Sequence, residues 1–144
     1  RILLDDKTVI EVLHPEKAFY IGESTLNNGS LVLKLTYKNV SILFTGDIEK
    51  EGEEILLRDR EKLLSDVLKV AHHGSDTSST EEFLEAVNPK LAVVSVGKNN
   101  FGHPSTEVIE RLKDCFLFRT DENGAIVIKT YGNGLKIKKT VVVE

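Results

Sequence analysis

Cysteine, methionine, tryptophan and long apolar runs are scarce or missing in this sequence of 144 residues. Cys115 is the only cysteine, and methionine and tryptophan do not occur. A single cysteine excludes an internal disulfide, and its place in the apolar run "CFLF" favours a buried thiol over a reactive one. No stretch approaches the roughly 18 consecutive apolar residues that a membrane-spanning helix needs.

The sequence also has no excess of positive charge. It contains 19 Lys and Arg against 23 Asp and Glu, which gives a formal net charge of -4. This balance disfavours a free-standing nucleic-acid-binding domain, since such domains are usually basic. It does not exclude a metal-dependent enzyme that acts on phosphates, because bound divalent ions add positive charge. The length and the 40% hydrophobic content indicate one domain with a packed core.

The hydrophobic pattern predicts strands that alternate with helices, which indicates a mixed α/β layered fold. Lys38 and Asn39 join two strand-like runs as a tight turn, and Ser79 with Glu82 has the spacing of a capping box. The segment 18–30 has the polar, glycine-containing composition of a loop. The predicted strands cover 8–15, 30–37, 40–47, 66–71, 91–97, 116–120, 125–130 and 135–143, and the predicted helices cover 48–64, 78–87 and 103–114.

Three predicted strands are followed at once by side chains that bind metals or transfer protons. Asp47 follows "ILFTG", a pair of histidines follows "LKVA", and two asparagines and a histidine follow "VVSVGK". Asp47 after Gly46 is also a favourable N-cap for the next helix, whereas a metal-site aspartate can place one oxygen on each of two divalent ions. The remaining candidates are His72, His73, Asn99, Asn100 and His103.

The adjacent histidines are likewise either merely structural residues or part of a metal site. On extended backbone their side chains point to opposite faces, which predicts one direct metal ligand and one supporting residue. His103, between Gly102 and Pro104, is either a helix-entry residue or part of the site, and His14 before Pro15 is expected to be structural. Histidines and an aspartate at consecutive strand ends are what a site along one sheet edge needs.

In this order and spacing, "GD", "HHGSDTSS" and "SVGKNNFGHP" resemble the second half of a metallo-β-lactamase-fold domain. More narrowly, they resemble the C-terminal domain of the ComEC family of bacterial competence proteins, over about 27–124. The resemblance implies an αββα sandwich with two divalent metal ions, Zn²⁺ or Mn²⁺. It implies a metal-dependent hydrolase, a phosphodiesterase or nuclease that acts on single-stranded DNA, in a soluble domain of a bacterial membrane protein for DNA uptake.

The same resemblance assigns roles to individual residues. Asp47 matches the aspartate that bridges both metals, and His72 or His73 matches the last metal-binding histidine, with His72 slightly favoured because it comes first after the strand. Asp47 and His103 are the catalytic candidates. Other branches of the superfamily have a metal-binding histidine where Asn27 and Asn28 stand here. The candidates for substrate binding or for orienting the ligands are Ser75, Asn100 and His103.

The H-x-H-x-D-H motif of the superfamily's first half has no counterpart in this sequence. We therefore expect residues 1–144 to be a single domain or the C-terminal portion of a metallo-β-lactamase-fold domain, with partners in an upstream half and a membrane channel domain. Such a chain is expected to bind metal weakly or not at all, to have little activity alone, and to form a homo-oligomer through exposed sheet surface. The alternatives are a hydrolase of a small phosphoester or lactone and a degenerate, non-catalytic module.

Overall fold

A mixed seven-stranded sheet forms the centre of the computed structural model, which describes residues 1–15 and 25–140. Its strands follow one another in chain order. The first four pair antiparallel, and the fourth to seventh pair parallel. The strands are β1 (Ile2–Leu3), β2 (Thr8–His14), β3 (Val32–Tyr37), β4 (Val40–Phe44), β5 (Val67–Lys69), β6 (Leu91–Val94) and β7 (Phe116–Arg119), and β8 (Ile126–Thr130) and β9 (Leu135–Lys139) form a separate antiparallel hairpin.

The helices are short, and the three predicted ones are present with narrower bounds. Thr25–Asn28 is α1, Lys50–Leu56 is α2, Glu81–Val87 is α3, Thr106–Arg111 is α4 and Thr120–Asn123 is α5. The α/β prediction with a mixed sheet is confirmed. Within the described ranges, no helix is long and apolar enough to cross a membrane.

One local prediction fails on the described residues. The predicted loop 18–30 contains α1, while its residues 18–24 lie outside the described ranges, as do 141–143 of the last predicted strand. β7 belongs to the large sheet and β8 to the small one.

The two faces of the large sheet differ in burial. Residues that pair across neighbouring strands point to the same face. One such row contains Leu43, Leu68 and Ala92, which are all 0% exposed and pack in the main core with the helices. The row on the other face is only partly covered and includes Val12 and Phe44, which are 44% and 40% exposed. The predicted self-association through exposed sheet surface stays a prediction.

Both predicted helix caps lie elsewhere than expected. Asp47 does not cap α2, whose N-cap is Glu49 without a capping side chain. The amide oxygen of Asn28 instead accepts hydrogen bonds from the N–H of Glu49 at 2.8 Å and of Gly52 at 3.1 Å. The N-cap of α3 is Thr80, one residue after the predicted Ser79.

A buried carboxylate joins α2 to the start of α3. Glu53 is 0% exposed. It accepts hydrogen bonds from the N–H of Ser79 at 2.5 Å and from the N–H and hydroxyl of Thr80 at 2.9 and 2.8 Å. These N–H groups have no partner inside α3, because the first turn of a helix leaves its N–H groups unpaired. Glu53 therefore fixes the segment that leads from the histidine pair into α3.

We expect Glu53→Ala to lower the free energy of unfolding by at least about 2 kcal/mol, because buried N–H donors of Ser79 and Thr80 lose their acceptor. Chemical unfolding followed by circular dichroism measures the change. Glu54→Ala is the matched control, since Glu54 lies in the same helix and is exposed, and it should change stability by less than about 0.5 kcal/mol. Equal effects of the two substitutions would contradict the role of Glu53.

The stability contribution of Glu53 should also depend on pH. Burial raises the pKa of Glu53, against the opposing effect of its hydrogen bonds from Thr80 and Ser79. A carboxyl with a raised folded-state pKa contributes its full stability below the unfolded pKa of about 4.3, and this contribution is lost as pH rises through the folded pKa. The unfolding free energy of the wild type minus that of Glu53→Gln should therefore be larger at pH 4 than at pH 7. A pH-independent difference would refute this.

Candidate functional site at the strand ends

Three parallel strands bring the predicted site residues to one edge of the sheet. β4, β5 and β6 pair in register, so their carboxyl ends lie side by side. In open α/β sheets this edge is where ligands bind. The chain leaves β4 towards Asp47, leaves β5 towards His72 and His73, and leaves β6 at Ser95.

Asp47 is fixed by its own backbone and by a lysine from the neighbouring strand. Gly46 has a φ of +56°, and a side chain there would meet Ser30, whose hydroxyl accepts a hydrogen bond from Asp47 N at 3.0 Å. The Lys69 ammonium donates to the Gly46 carbonyl at 3.2 Å and lies 3.8 Å from Asp47 Oδ1. Burial lowers the pKa of Lys69, and the charge of Asp47 partly offsets this effect.

The two histidines lie in a turn, not on extended backbone. His72 and His73 have φ values of +46° and +55°, which non-glycine residues rarely adopt. The predicted extended backbone is therefore wrong, and it was the basis for expecting the two side chains on opposite faces. Gly74 follows with a φ of +83° and contacts Pro104 so closely that a side chain would overlap it. Backbone held in this region costs about 1–3 kcal/mol per residue and occurs preferentially at functional sites.

His73 is the histidine that faces Asp47. Its Nδ1 donates a hydrogen bond to the carbonyl of Ser95 at 2.6 Å, and its Nε2 lies 3.8 Å from Asp47 Oδ1. Metal-binding histidines commonly donate their second ring N–H to a carbonyl in this way, which fixes the ring and its tautomer. The geometry therefore favours His73 over His72 as the direct partner of Asp47.

His72 faces a different carboxylate. Its Nδ1 lies 3.4 Å from Glu49 Oε1 and 3.5 Å from the hydroxyl of Thr77. The same Glu49 oxygen accepts a hydrogen bond from the amide of Asn27 at 3.2 Å. The ring of His72 lies 5.6 Å from that of His103, measured between centroids. Sequence reasoning missed Glu49, although it stands only two residues after Asp47.

The loop 97–103 carries His103 and is shaped by Asn99. The Asn99 amide donates to the carbonyls of Gly97 at 2.9 Å and His103 at 2.8 Å, and its oxygen accepts from the N–H of Phe101 and His103 at 3.0 and 3.1 Å. His103 lies two residues before Ser105, the N-cap of α4. A cavity of about 190 Å³ separates the loop from His73.

The two other predicted substrate-binding residues lie in different environments. Ser75 is 3% exposed, and its hydroxyl lies 3.0 Å from that of Thr77. Asn100 is exposed beside Phe101 in the loop. Their roles in substrate binding stay predictions.

Lys69 and Phe101 are contacts of the site that sequence reasoning did not single out. Lys69 gave a signal, since it is a charged residue inside an otherwise apolar strand that leads directly to the histidines. Phe101 gave a weaker one, because a single aromatic residue in a polar loop is common. Among the described residues no cluster of three or more His, Cys, Asp or Glu side chains is arranged to hold a metal ion.

Comparison with known proteins identifies the superfamily of the chain. Residues 4–98 match the family model of the metallo-beta-lactamase superfamily, and the chain belongs to this superfamily. The resemblance drawn from the sequence motifs is thereby confirmed.

Curated relatives include proteins named for competence. The chain is 42% identical over 118 residues to ComE operon protein 3 of Bacillus subtilis (strain 168), an alignment that covers 80% of this chain and 15% of that protein. It is 36% identical over 138 residues to Competence protein ComA of Neisseria gonorrhoeae, with 93% and 20% covered. It is 41% identical over 87 residues to Recombination protein 2 of Haemophilus influenzae, with 60% and 11% covered. The chain thus spans a fifth or less of the length of these relatives.

The hydrogen bonds of two histidines predict opposite tautomers. A carbonyl only accepts, so neutral His73 should carry its proton on Nδ1, towards Ser95. Neutral His14, whose Nε2 lies 2.7 Å from the carbonyl of Asn28, should carry it on Nε2 and serves as an internal control. Long-range ¹H–¹⁵N correlation spectra at alkaline pH distinguish the two forms. The Nε2–H form at His73 would contradict the hydrogen bond from its Nδ1 to Ser95, which orients the ring.

Proposed function

We propose that this chain contributes Asp47 and His73 to the metal site of a metal-dependent phosphodiesterase, a nuclease of a bacterial DNA-uptake protein. The observation that carries the proposal is the approach of Asp47 Oδ1 and His73 Nε2 to 3.8 Å, with the other ring nitrogen of His73 bonded to Ser95. Membership of the metallo-beta-lactamase superfamily supports hydrolysis. The names of two relatives, ComE operon protein 3 and Competence protein ComA, support the link to competence.

The donor atoms of these residues suit a divalent ion. A carboxylate oxygen and an imidazole nitrogen are ligands for Zn²⁺, and Mn²⁺ also binds carboxylates. His72, with Glu49 behind it, is a second candidate ligand at the same edge. A bound divalent ion would supply Lewis-acid polarisation of a phosphoryl oxygen and a more acidic water. Two such ions, as the superfamily resemblance implies, need further ligands beyond these three side chains.

The neighbouring residues have roles that follow from their contacts with Asp47 and His72, without any assumption about where a metal ion lies. Lys69 holds the Gly46 carbonyl and orients the Asp47 carboxylate. Glu49 orients the ring of His72. His103 lies beside His72. In this proposal it would hold a phosphate or donate a proton to the leaving oxygen, an effect worth about 10²–10⁴-fold in rate.

In the natural protein that carries this chain, Asp47→Asn and His73→Ala should each lower cleavage of single-stranded DNA by about 100-fold, the scale on which one electrostatic stabiliser acts. A labelled oligonucleotide with added Mn²⁺ or Zn²⁺ measures the rate, and a chelator should abolish it. Asp114→Asn is the control, since Asp114 is an exposed carboxylate outside the site.

Parallel assays with other substrates separate the alternatives. Hydrolysis of phosphocholine esters or lactones without DNA cleavage would favour a small-molecule hydrolase. Full activity of the Asp47 and His73 variants would refute the proposed site. A protein that hydrolyses none of these substrates would indicate a non-catalytic module.

A further inference from the structure

An exposed aromatic side chain lies beside the candidate site without a packing role that accounts for it. Phe101 is 82% exposed. Its ring stacks on His103 at 5.9 Å between centroids, with the two planes 21° apart. One face of Phe101 is thus directed at a candidate catalytic residue, and most of its surface contacts solvent. A large apolar ring that stays exposed is not stabilised by burial, so packing does not explain the position of Phe101.

The position of Phe101 is built into the loop. Asn99 uses both amide hydrogens and its oxygen to join Gly97, Phe101 and His103 within the loop 97–103. A side chain that presents an aromatic ring on a backbone fixed in this way loses little conformational freedom when a ligand stacks on it. Phe101 therefore has the properties of a preformed contact surface.

The surroundings of Phe101 select the kind of ligand. The cavity of about 190 Å³ between the loop and His73 is lined by Lys98 and His103 as well. Lys98 is exposed, and no carboxylate of the described residues lies in ion-pair contact with it. Positive charge and an exposed aromatic ring on one loop are the combination that binds single-stranded nucleic acid, because the cation contacts a phosphate while a base stacks on the ring.

We propose that Phe101 is a stacking platform for one nucleobase of a single DNA strand, whose adjoining phosphodiester enters the cavity beside His73 and His103. This inference rests on the proposed function and adds the residue that holds an unpaired base. A base inside a duplex is already stacked on its neighbours, so only a single strand or an end offers its face to Phe101.

Binding of a short labelled oligonucleotide to the natural protein, with a chelator present to prevent cleavage, tests the proposal. Phe101→Ala should weaken binding about tenfold, the effect of losing one base–aromatic stack. Phe101→Trp should restore it. Phe116→Ala is the matched control, because Phe116 is also exposed, at 77%, and lies at the far end of β7.

A strand with abasic sites distinguishes stacking from a purely structural role. The wild type should bind it about tenfold more weakly than the normal strand, and Phe101→Ala should bind both strands equally. This comparison on the wild type needs no folded variant. Equal binding of normal and abasic strands by the wild type would overturn the stacking role. So would a Phe101→Ala substitution that weakens binding of the abasic strand as much as binding of the normal strand. A wild type that neither binds a single strand here nor cleaves one in the presence of Mn²⁺ or Zn²⁺ would overturn the proposed function as well.

Discussion

The parallel pairing of β4, β5 and β6 is the constraint on which the rest of the site depends. These strands contain only five, three and four residues, yet their paired residues Leu43, Leu68 and Ala92 are completely buried. Because the strands run in the same direction and in register, their carboxyl ends emerge at one edge. The parallel pairing therefore brings the aspartate, the histidines and the carbonyl that orients one of them within a few ångströms, although they follow three different strands.

A second constraint fixes the turn that carries the histidines. Left-handed backbone at His72 and His73 is unfavourable by itself, so tertiary contacts must hold it. His72 N donates to the Gly46 carbonyl at 3.2 Å, and the Gly74 carbonyl accepts from Ser105 N at 2.9 Å. Glu53 holds the chain again a few residues later, at the start of α3. The turn is thus held on both sides, and the rings are aimed by the backbone.

The predictable part of this structure is the part that local sequence determines. Hydrophobic periodicity gave the strands, the three main helices and the mixed α/β class, because each depends on neighbouring residues. The cap of α2 was not predictable, since its acceptor is Asn28, which lies more than twenty residues upstream. The relation between His72 and His73 was misjudged for the same reason: distant contacts impose the turn. The polar residues that follow predicted strands located Asp47, the histidines and Asn99, but this pattern contains nothing that identifies Glu49 or Phe101.

The charges around Asp47 set a condition on the complete site. One carboxylate oxygen of Asp47 lies 3.8 Å from both the Lys69 ammonium and His73 Nε2. Lys69 partly neutralises the negative charge of Asp47. Its own positive charge also repels a divalent ion bound at Asp47. Asp47 and Glu49 carry too little negative charge to balance two divalent ions together with Lys69. If the proposed site holds two ions, further negative charge is needed, and ligands other than Asp47 and Glu49 or the phosphates of the proposed substrate would supply it. An anionic substrate would then bind in part because it completes the charge balance that these side chains leave open.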